Sequence, residues 1–213
     1  WLPSANLVAD VTDDFLVRLS AAKVMTRAPL GNLAPSTSIS VSGNSRSVTS
    51  GNPFLEPFEA DAYDLSFEWY FAQQSLVSRA LFYKDIATYI STTRDTRPFA
   101  GKPYGLPDEL GIAACGTIQG CTIFADWIFS VPENTPGGDL KGFEASYQQP
   151  FSFLPGVWEN FGVILNYTYT DSEVDYLNAD GTVALRTDLT GLSKNSYNAT
   201  LYWENTKLSA RLS

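Results

Sequence analysis

The sequence predicts an all-β protein, an antiparallel up-and-down transmembrane β-barrel segment. Apolar and polar residues alternate with a period of two along most of the chain, which is typical of strands with two different faces. Short and long connections between these segments alternate strictly, as they do in outer-membrane barrels. Aromatic residues make up 14% of the 213 residues, yet the mean hydropathy is only -0.09. A sheet with one apolar and one polar face explains both values, because the mean hydropathy averages the two faces.

The clearest alternation is YDLSFEWYF at residues 63–71, where every odd position is apolar or aromatic. Lys84 departs from the pattern because it falls in phase with Phe82 and Ile86. Either its ammonium snorkels past an apolar band or the phase slips at a bulge. The pattern predicts eight strands, at residues 3–11, 15–26, 61–72, 76–93, 124–149, 160–172, 195–204 and 207–213.

The connections between these strands fall into two classes. Short turns are predicted at about 12–14, 72–75, 150–160 and 204–207, and we expect them at the periplasmic end. Long connectors at about 29–60, 94–123 and 173–194 are expected to be extracellular loops. The last segment stops in mid-pattern, and unpaired strand edges are untenable in lipid. We therefore expect the remaining strands in a longer protein, with residues 1–213 as part of its barrel domain.

Charge and composition exclude several functions. The chain has 14 basic and 23 acidic residues, a net charge of -9, which disfavours binding to nucleic acid. It contains no histidine, which removes His-assisted nucleophiles and imidazole bases, so we predict no enzymatic activity and no cofactor. One alternative class stays open, a soluble β-sandwich that binds glycans, because it has the same period of two.

Two cysteines, Cys115 and Cys121, lie six positions apart in the Gly-rich stretch ACGTIQGC. Such a close pair, with no histidine to complete a metal site, fits a local disulfide in an oxidising compartment. Two reduced thiols are the alternative. No metal site is predicted at this loop, because it offers too few ligands.

Several strings in chain order resemble the β-barrel of TonB-dependent outer-membrane receptors, particularly the large receptors of Caulobacter- and Xanthomonas-type bacteria. They are WLPSANL at 1–7, GNPFLEP at 51–57, YDLSFEWYF at 63–71, FYKDI at 82–86, NTPGGDLKGFE at 134–144 and NYTY at 166–169. Each string is modest alone, and together they span most of the chain. The chain departs from the family pattern at Lys23 and Val24, where Ser and Arg are more usual.

The resemblance implies a barrel of about 22 strands around an N-terminal plug. It also implies a function, active import of a scarce nutrient, either a carbohydrate or a siderophore, across the bacterial outer membrane. The expected partners are outer-membrane lipid and lipopolysaccharide, the protein's own plug, and the TonB–ExbB–ExbD system acting through a part that this segment lacks. The acidic, aromatic loops favour neutral sugars over anionic iron chelates.

Candidate site residues fall into two groups. The first group is expected to line the lumen and consists of Asp64, Glu68, Tyr70, Glu144, Asn166 and Thr168. The second group lies in or beside the long loops and is expected to contact ligand through charge or ring stacking. It consists of Arg94, Arg97, Tyr104, Trp127, Asp171 and Tyr176. Loop salt bridges and loop packing are the alternative roles for this second group. Asp171, with Glu173 and Asp175, could also hold a hard cation, or the three could be solvated loop residues.

Overall fold

The computed structural model describes residues 1–178 and 181–213, which form one large β-sheet with short helical segments. The strands are β1 Ser4–Thr12, β2 Phe15–Thr26, β3 Thr37–Ser42, β4 Ser45–Ser50, β5 Phe58–Ala72, β6 Ser75–Pro98, β7 Asp126–Pro150, β8 Phe161–Leu177, β9 Val183–Thr187, β10 Asn195–Glu204 and β11 Ser209–Leu212. The helices are α1 Leu30–Leu33 and α2 Asp108–Cys115, with 3-10 turns at Pro103–Gly105 and Gly156–Asn160. Among the described residues, no helix is long and apolar enough to cross a membrane.

Eight strands form the main path of the sheet in the order β1-β2-β5-β6-β7-β8-β10-β11. Each neighbouring pair along this path is antiparallel. The predicted all-β barrel segment of eight strands is therefore confirmed, and the sheet is open. A sandwich needs a second sheet packed on the first, whereas the described strands all belong to one sheet. The strands β3, β4 and β9 lie in long connectors and were not predicted.

The sheet has an apolar face, defined here by the side of Leu19 and Phe143. Cross-strand partners place apolar residues in one row on this face, through Leu7, Leu19, Leu65, Leu81, Phe143 and Tyr169. These residues are exposed in part, with Leu19 at 50% and Leu81 at 39%. A row of exposed apolar side chains on every strand is typical of a lipid-facing barrel wall.

The opposite side is the polar face, defined by the side of Asp64 and Glu144. Its side chains bond to one another across strands: Arg18 pairs with Glu68 at 2.9 Å and Ser20 donates to Asp64 at 3.1 Å. Further along, Ser146 donates to Asn166 at 2.9 Å. All six residues expected to line a lumen lie on this face: Asp64, Glu68, Tyr70, Glu144, Asn166 and Thr168.

Lys84 lies on the polar face, opposite Ala62 on β5 and Leu140 on β7. Both ladders keep their register through this position, so the bulge considered for Lys84 is wrong. Phe82 and Ile86 share the polar face with it, so Lys84 does not cross an apolar band of the lipid side. Arg79 is a charged residue among the apolar side chains of the apolar face, and its guanidinium lies 5.1 Å from the Phe143 ring centroid.

Two aromatic residues of the polar face cover glycines on neighbouring strands. Phe82 lies opposite Gly142, and Tyr202 lies opposite Gly162. A Cβ added at Gly142 would meet the Phe82 ring at 2.6 Å and the carbonyl oxygen of Tyr169 at 2.1 Å. These glycines are therefore required because a ring and a neighbouring backbone occupy the space where a Cβ would lie.

We expect Gly142→Ala to lower the free energy of unfolding of the receptor by about 1–3 kcal/mol, because the added methyl group overpacks the sheet. The measurement is the urea midpoint of the receptor in lipid vesicles. Gly31→Ala is the matched control, since nothing lies within 4 Å of a Cβ at that position. Equal midpoints for the two variants would contradict the close packing at Gly142.

Candidate functional site

The first long connector crosses the sheet on its polar face. Its hairpin β3–β4 adds β4 in parallel to β7, where Ser47–Thr49 pairs with Ile128–Ser130. The other edge of β7 is occupied by β6, so the chain must cross both strands before it enters β5. Thr88 and Asn134, both on the polar face, bond to residues 56 and 57. The crossing segment, residues 51–57, is called the strap.

Hydrogen bonds fix the strap to β6 and β7. The amide of Asn134 donates to the carbonyl of Glu56 at 3.1 Å and accepts from its N–H at 2.8 Å. Asn52 donates to the carbonyl of Pro132 at 3.1 Å, and Thr88 donates to that of Pro57 at 3.0 Å. A side-chain amide offers both a donor and an acceptor. Asn134 therefore bonds to the N–H and the C=O of Glu56 as the backbone of a neighbouring strand would. The strap is thus held at defined points over the polar face.

A second connector also folds over the polar face, after β9. The N–H of Leu189 donates to the hydroxyl of Ser172 at 3.0 Å, and Ser172 is buried on the polar face of β8. Leu189 lines a cavity together with side chains near the end of β2, the start of β5 and the middle of β6. The long-loop end of the polar face is therefore covered from two directions, while its short-turn end is not.

The long connector between β6 and β7, residues 99–125, forms a small cap with its own apolar core. Phe99 and Cys115 pack with Trp127 and Phe129 of β7 and with Val48 of β4. The sulfurs of Cys115 and Cys121 are bonded, with their Cα atoms 5.3 Å apart, so the predicted disulfide is confirmed. It closes the turn that follows α2 and anchors one buried side of the cap.

Trp127 has no exposed surface, and its indole N–H donates to the carbonyl of Thr122 at 3.1 Å. A completely buried side chain cannot contact a ligand in this conformation. Sequence reasoning selected Trp127 as a ligand contact because it lies near a long loop, but the structure gives it a packing role. We therefore do not include Trp127 in the proposed ligand contacts.

Arg97 and Tyr104 come together at the surface of the cap. The guanidinium of Arg97 lies 5.3 Å from the ring centroid of Tyr104 and pairs with the carboxylate of Asp95. Burial raises the pKa of the Tyr104 phenol above its usual range. Arg94 lies three positions before Arg97 on the same strand, so the two side chains project from opposite faces. They cannot grip one ligand from the same side of the sheet.

The carboxylates of Asp171, Glu173 and Asp175 lie on the same side of β8 as the apolar face, in its extension at the long-loop end. Asp171 pairs with Lys194 at 3.0 Å. Asp175 receives two hydrogen bonds from Arg186, at 2.6 and 2.9 Å, which hold the pKa of its carboxyl below the usual range. Within residues 1–178 and 181–213, no group of three His, Cys, Asp or Glu side chains could hold a metal ion.

Tyr176 lies on the other side of β8 from Asp171. Its hydroxyl lies 2.8 Å from that of Thr190 and accepts the N–H of the same residue at 3.2 Å. The structure therefore uses Tyr176 to fix the connector that carries Leu189. Sequence reasoning noted Lys84 and the motif at 51–57 but did not select them, or Leu189, as site residues. Their positions depend on contacts between segments far apart in the chain.

An open antiparallel sheet with one apolar face, one polar face and folded loops at a single end defines a segment of an outer-membrane β-barrel. The chain belongs to the TonB-dependent receptor family, since the family model "TonB dependent receptor-like, beta-barrel" matches residues 1–212. Receptors of this family are proteins of the Gram-negative outer membrane, and so is this segment. No curated protein sequence matches the chain.

Two of the solved structures with the same fold are siderophore receptors. A mutant ferric enterobactin receptor (PfeA) of Pseudomonas aeruginosa in complex with enterobactin is 19% identical, with a TM-score of 0.65 over 99% of this chain and 27% of its own. The siderophore receptor PirA of the same organism is 17% identical, with a TM-score of 0.62 over 99% of this chain and 32% of its own. The chain therefore spans about a third or less of such receptors.

We expect replacement of both cysteines, Cys115→Ser with Cys121→Ser, to destabilise the cap by about 2 kcal/mol, because the short covalent loop no longer restricts the unfolded state. Limited proteolysis of the receptor should then cleave within residues 99–125 sooner than in the wild type, while the strands stay protected. Mass spectrometry of the non-reduced loop peptide is the control for oxidation. Free thiols at both positions, or unchanged cleavage, would refute this role.

Asn134 holds the strap through two hydrogen bonds to the backbone of Glu56. We expect Asn134→Ala to raise hydrogen exchange at the Glu56 amide roughly 5- to 30-fold, because two hydrogen bonds of about 1 kcal/mol are lost. Asn44→Ala is the matched control, since Asn44 lies in the β3–β4 turn and its side chain does not hold the strap. Exchange at Glu56 that stays at the wild-type rate would show that the strap is held by other contacts.

Proposed function

We propose that this chain is the ligand-recognising part of an outer-membrane receptor that imports a scarce nutrient with energy from the TonB system. The observation that carries the proposal is the cover over the polar face at one end of the sheet. The strap and the Leu189 connector fold over that face, and the cap stands beside them. The cover creates a shaped vestibule at the mouth of the barrel, instead of an open pore.

In this proposal each face and each end of the sheet lies in a different environment. The apolar face contacts outer-membrane lipid, and the charged extension around Asp171 and Lys194 lies level with lipopolysaccharide headgroups. The polar face lines the lumen and contacts water and the plug. The short-turn end faces the periplasm, where the plug would receive TonB–ExbB–ExbD, and the long-loop end is extracellular.

The ligand is proposed to be a carbohydrate or a siderophore held in the vestibule. Arg94 projects from the polar face of β6, and Phe54, which is 88% exposed, lies in the strap. A cationic group and an exposed ring provide charge and stacking for such a ligand. We propose no chemical step on the ligand, because the family consists of transport receptors and the chain contains no histidine.

Deletion of the gene for the complete receptor should abolish growth on one nutrient class when that nutrient is limiting. Uptake of labelled oligosaccharides and of labelled iron chelates is measured in parallel, with complementation by the intact gene as the control. A protonophore should stop uptake but leave surface binding intact, because only the transport step uses the proton gradient. Normal uptake of both nutrient classes after deletion would refute the proposal.

A further inference from the structure

A cavity of about 210 Å³ lies near the end of β2, the start of β5 and the middle of β6. Val24, Phe58, Ala60, Ile86 and Leu189 line it, together with Met25 and Tyr89, which strand register places on the other side of β2 and β6. The rings of Phe58 and Tyr89 meet edge to face with centroids 5.7 Å apart. The cavity is large enough for one ring-sized group of a ligand.

An apolar wall is unexpected on this face of the sheet. The interior of an outer-membrane barrel is mainly polar, because it contacts water, and Asp64, Glu68 and Glu144 follow that rule, although single apolar side chains such as Phe82 and Leu140 also lie on this face. At the cavity several apolar side chains lie together. The Leu189 connector, which Ser172 anchors, brings an apolar side chain to the cavity. Leu189 therefore adds to the apolar surface at this place.

Lys84 is the cationic side chain that lines this cavity. It is half-buried, and among the described residues its ammonium has no ion pair or hydrogen bond. Glu59, another lining residue, lies on the other side of β5 from Ala60, and its carboxylate pairs with Lys23 at 2.8 Å. Asp64, one pair further along the polar face, accepts a hydrogen bond from Ser20 at 3.1 Å. A partly desolvated ammonium without a counter-ion favours an anionic partner.

We infer that this cavity is a subsite for a ring that carries a negatively charged oxygen. The apolar walls would bury the face of the ring, and the ammonium of Lys84 would donate to the anionic oxygen. Two sources share this chemistry: an aryl oxyanion of an iron chelate and the carboxylate of a sugar acid. The local arrangement thus selects an anionic ligand, although the loops are acidic and aromatic on average.

The inference rests on the proposed import function and narrows its ligand class. The test uses the complete receptor in outer-membrane vesicles. Equilibrium binding is measured for three probes: a ferric tricatecholate, a hexuronate disaccharide and a neutral glucose disaccharide. The variants are Lys84→Gln, Lys84→Arg as the charge-preserving rescue, and Lys207→Gln as a control in a short turn. Retention of folded receptor is checked by resistance to denaturation in detergent.

The wild type should bind one of the two anionic probes, and which one it binds identifies the source. Lys84→Gln should weaken that binding roughly 10- to 100-fold, which corresponds to the loss of a hydrogen bond to a charged group. Lys84→Arg and Lys207→Gln should retain it. Binding of the neutral disaccharide, if present, should not change.

Other outcomes overturn the inference. If Lys84→Gln binds the anionic probe as the wild type does, Lys84 does not contact it. If the variant weakens anionic and neutral probes equally, Lys84 pairs with the plug and acts on the vestibule as a whole. If the wild type binds and imports only neutral sugars, the anionic subsite is wrong while the import function stands. If deletion of the receptor impairs no uptake, the import function itself fails.

Discussion

The antiparallel ladder between β6 and β7 supports the β3–β4 hairpin, the strap and the cap of the candidate site. It runs without a register shift from the pair Leu76 and Gln148 to the pair Pro98 and Asp126. Such a long hairpin rises well beyond the residues needed to cross a bilayer, which is about 9–11 per tilted strand. The projecting part carries the cap, pairs with β4 and holds the strap through Asn134. Without this rigid ladder, the long connectors would have no fixed surface on which to fold.

The loops fold onto the ladder by satisfying backbone groups that a projecting strand leaves open. Where β7 leaves β8, its edge would present unpaired N–H and C=O groups, and β4 occupies that edge in parallel. The cap then buries Val48 and Phe129 on one face of the extended sheet, and the strap lies on the other. The same requirement for paired backbone groups that builds the wall in lipid also builds the cover above it.

Charge is distributed unevenly between the two sides of the extended sheet. On the side of the apolar face, the acidic residues Asp171 and Asp175 are neutralised by Lys194 and Arg186. On the side of the polar face, Lys84 keeps an unpaired ammonium among the described residues. The net charge of the whole chain is -9 and conceals this contrast. A ligand experiences the local arrangement in the vestibule, so composition alone is a poor guide to ligand class.

The sequence by itself determined the eight strands of the main path, because the period of two in stretches such as Tyr63–Phe71 reflects a local demand for two different faces. It also predicted the Cys115–Cys121 bond, because the two cysteines are close in the chain, and the structure decided against two reduced thiols. Only the tertiary structure decided that Trp127 is buried, that residues 51–57 cross the polar face, and that Lys84 lies beside an apolar cavity. These outcomes depend on contacts between residues as distant in the chain as Glu56 and Asn134, which side-chain periodicity does not encode.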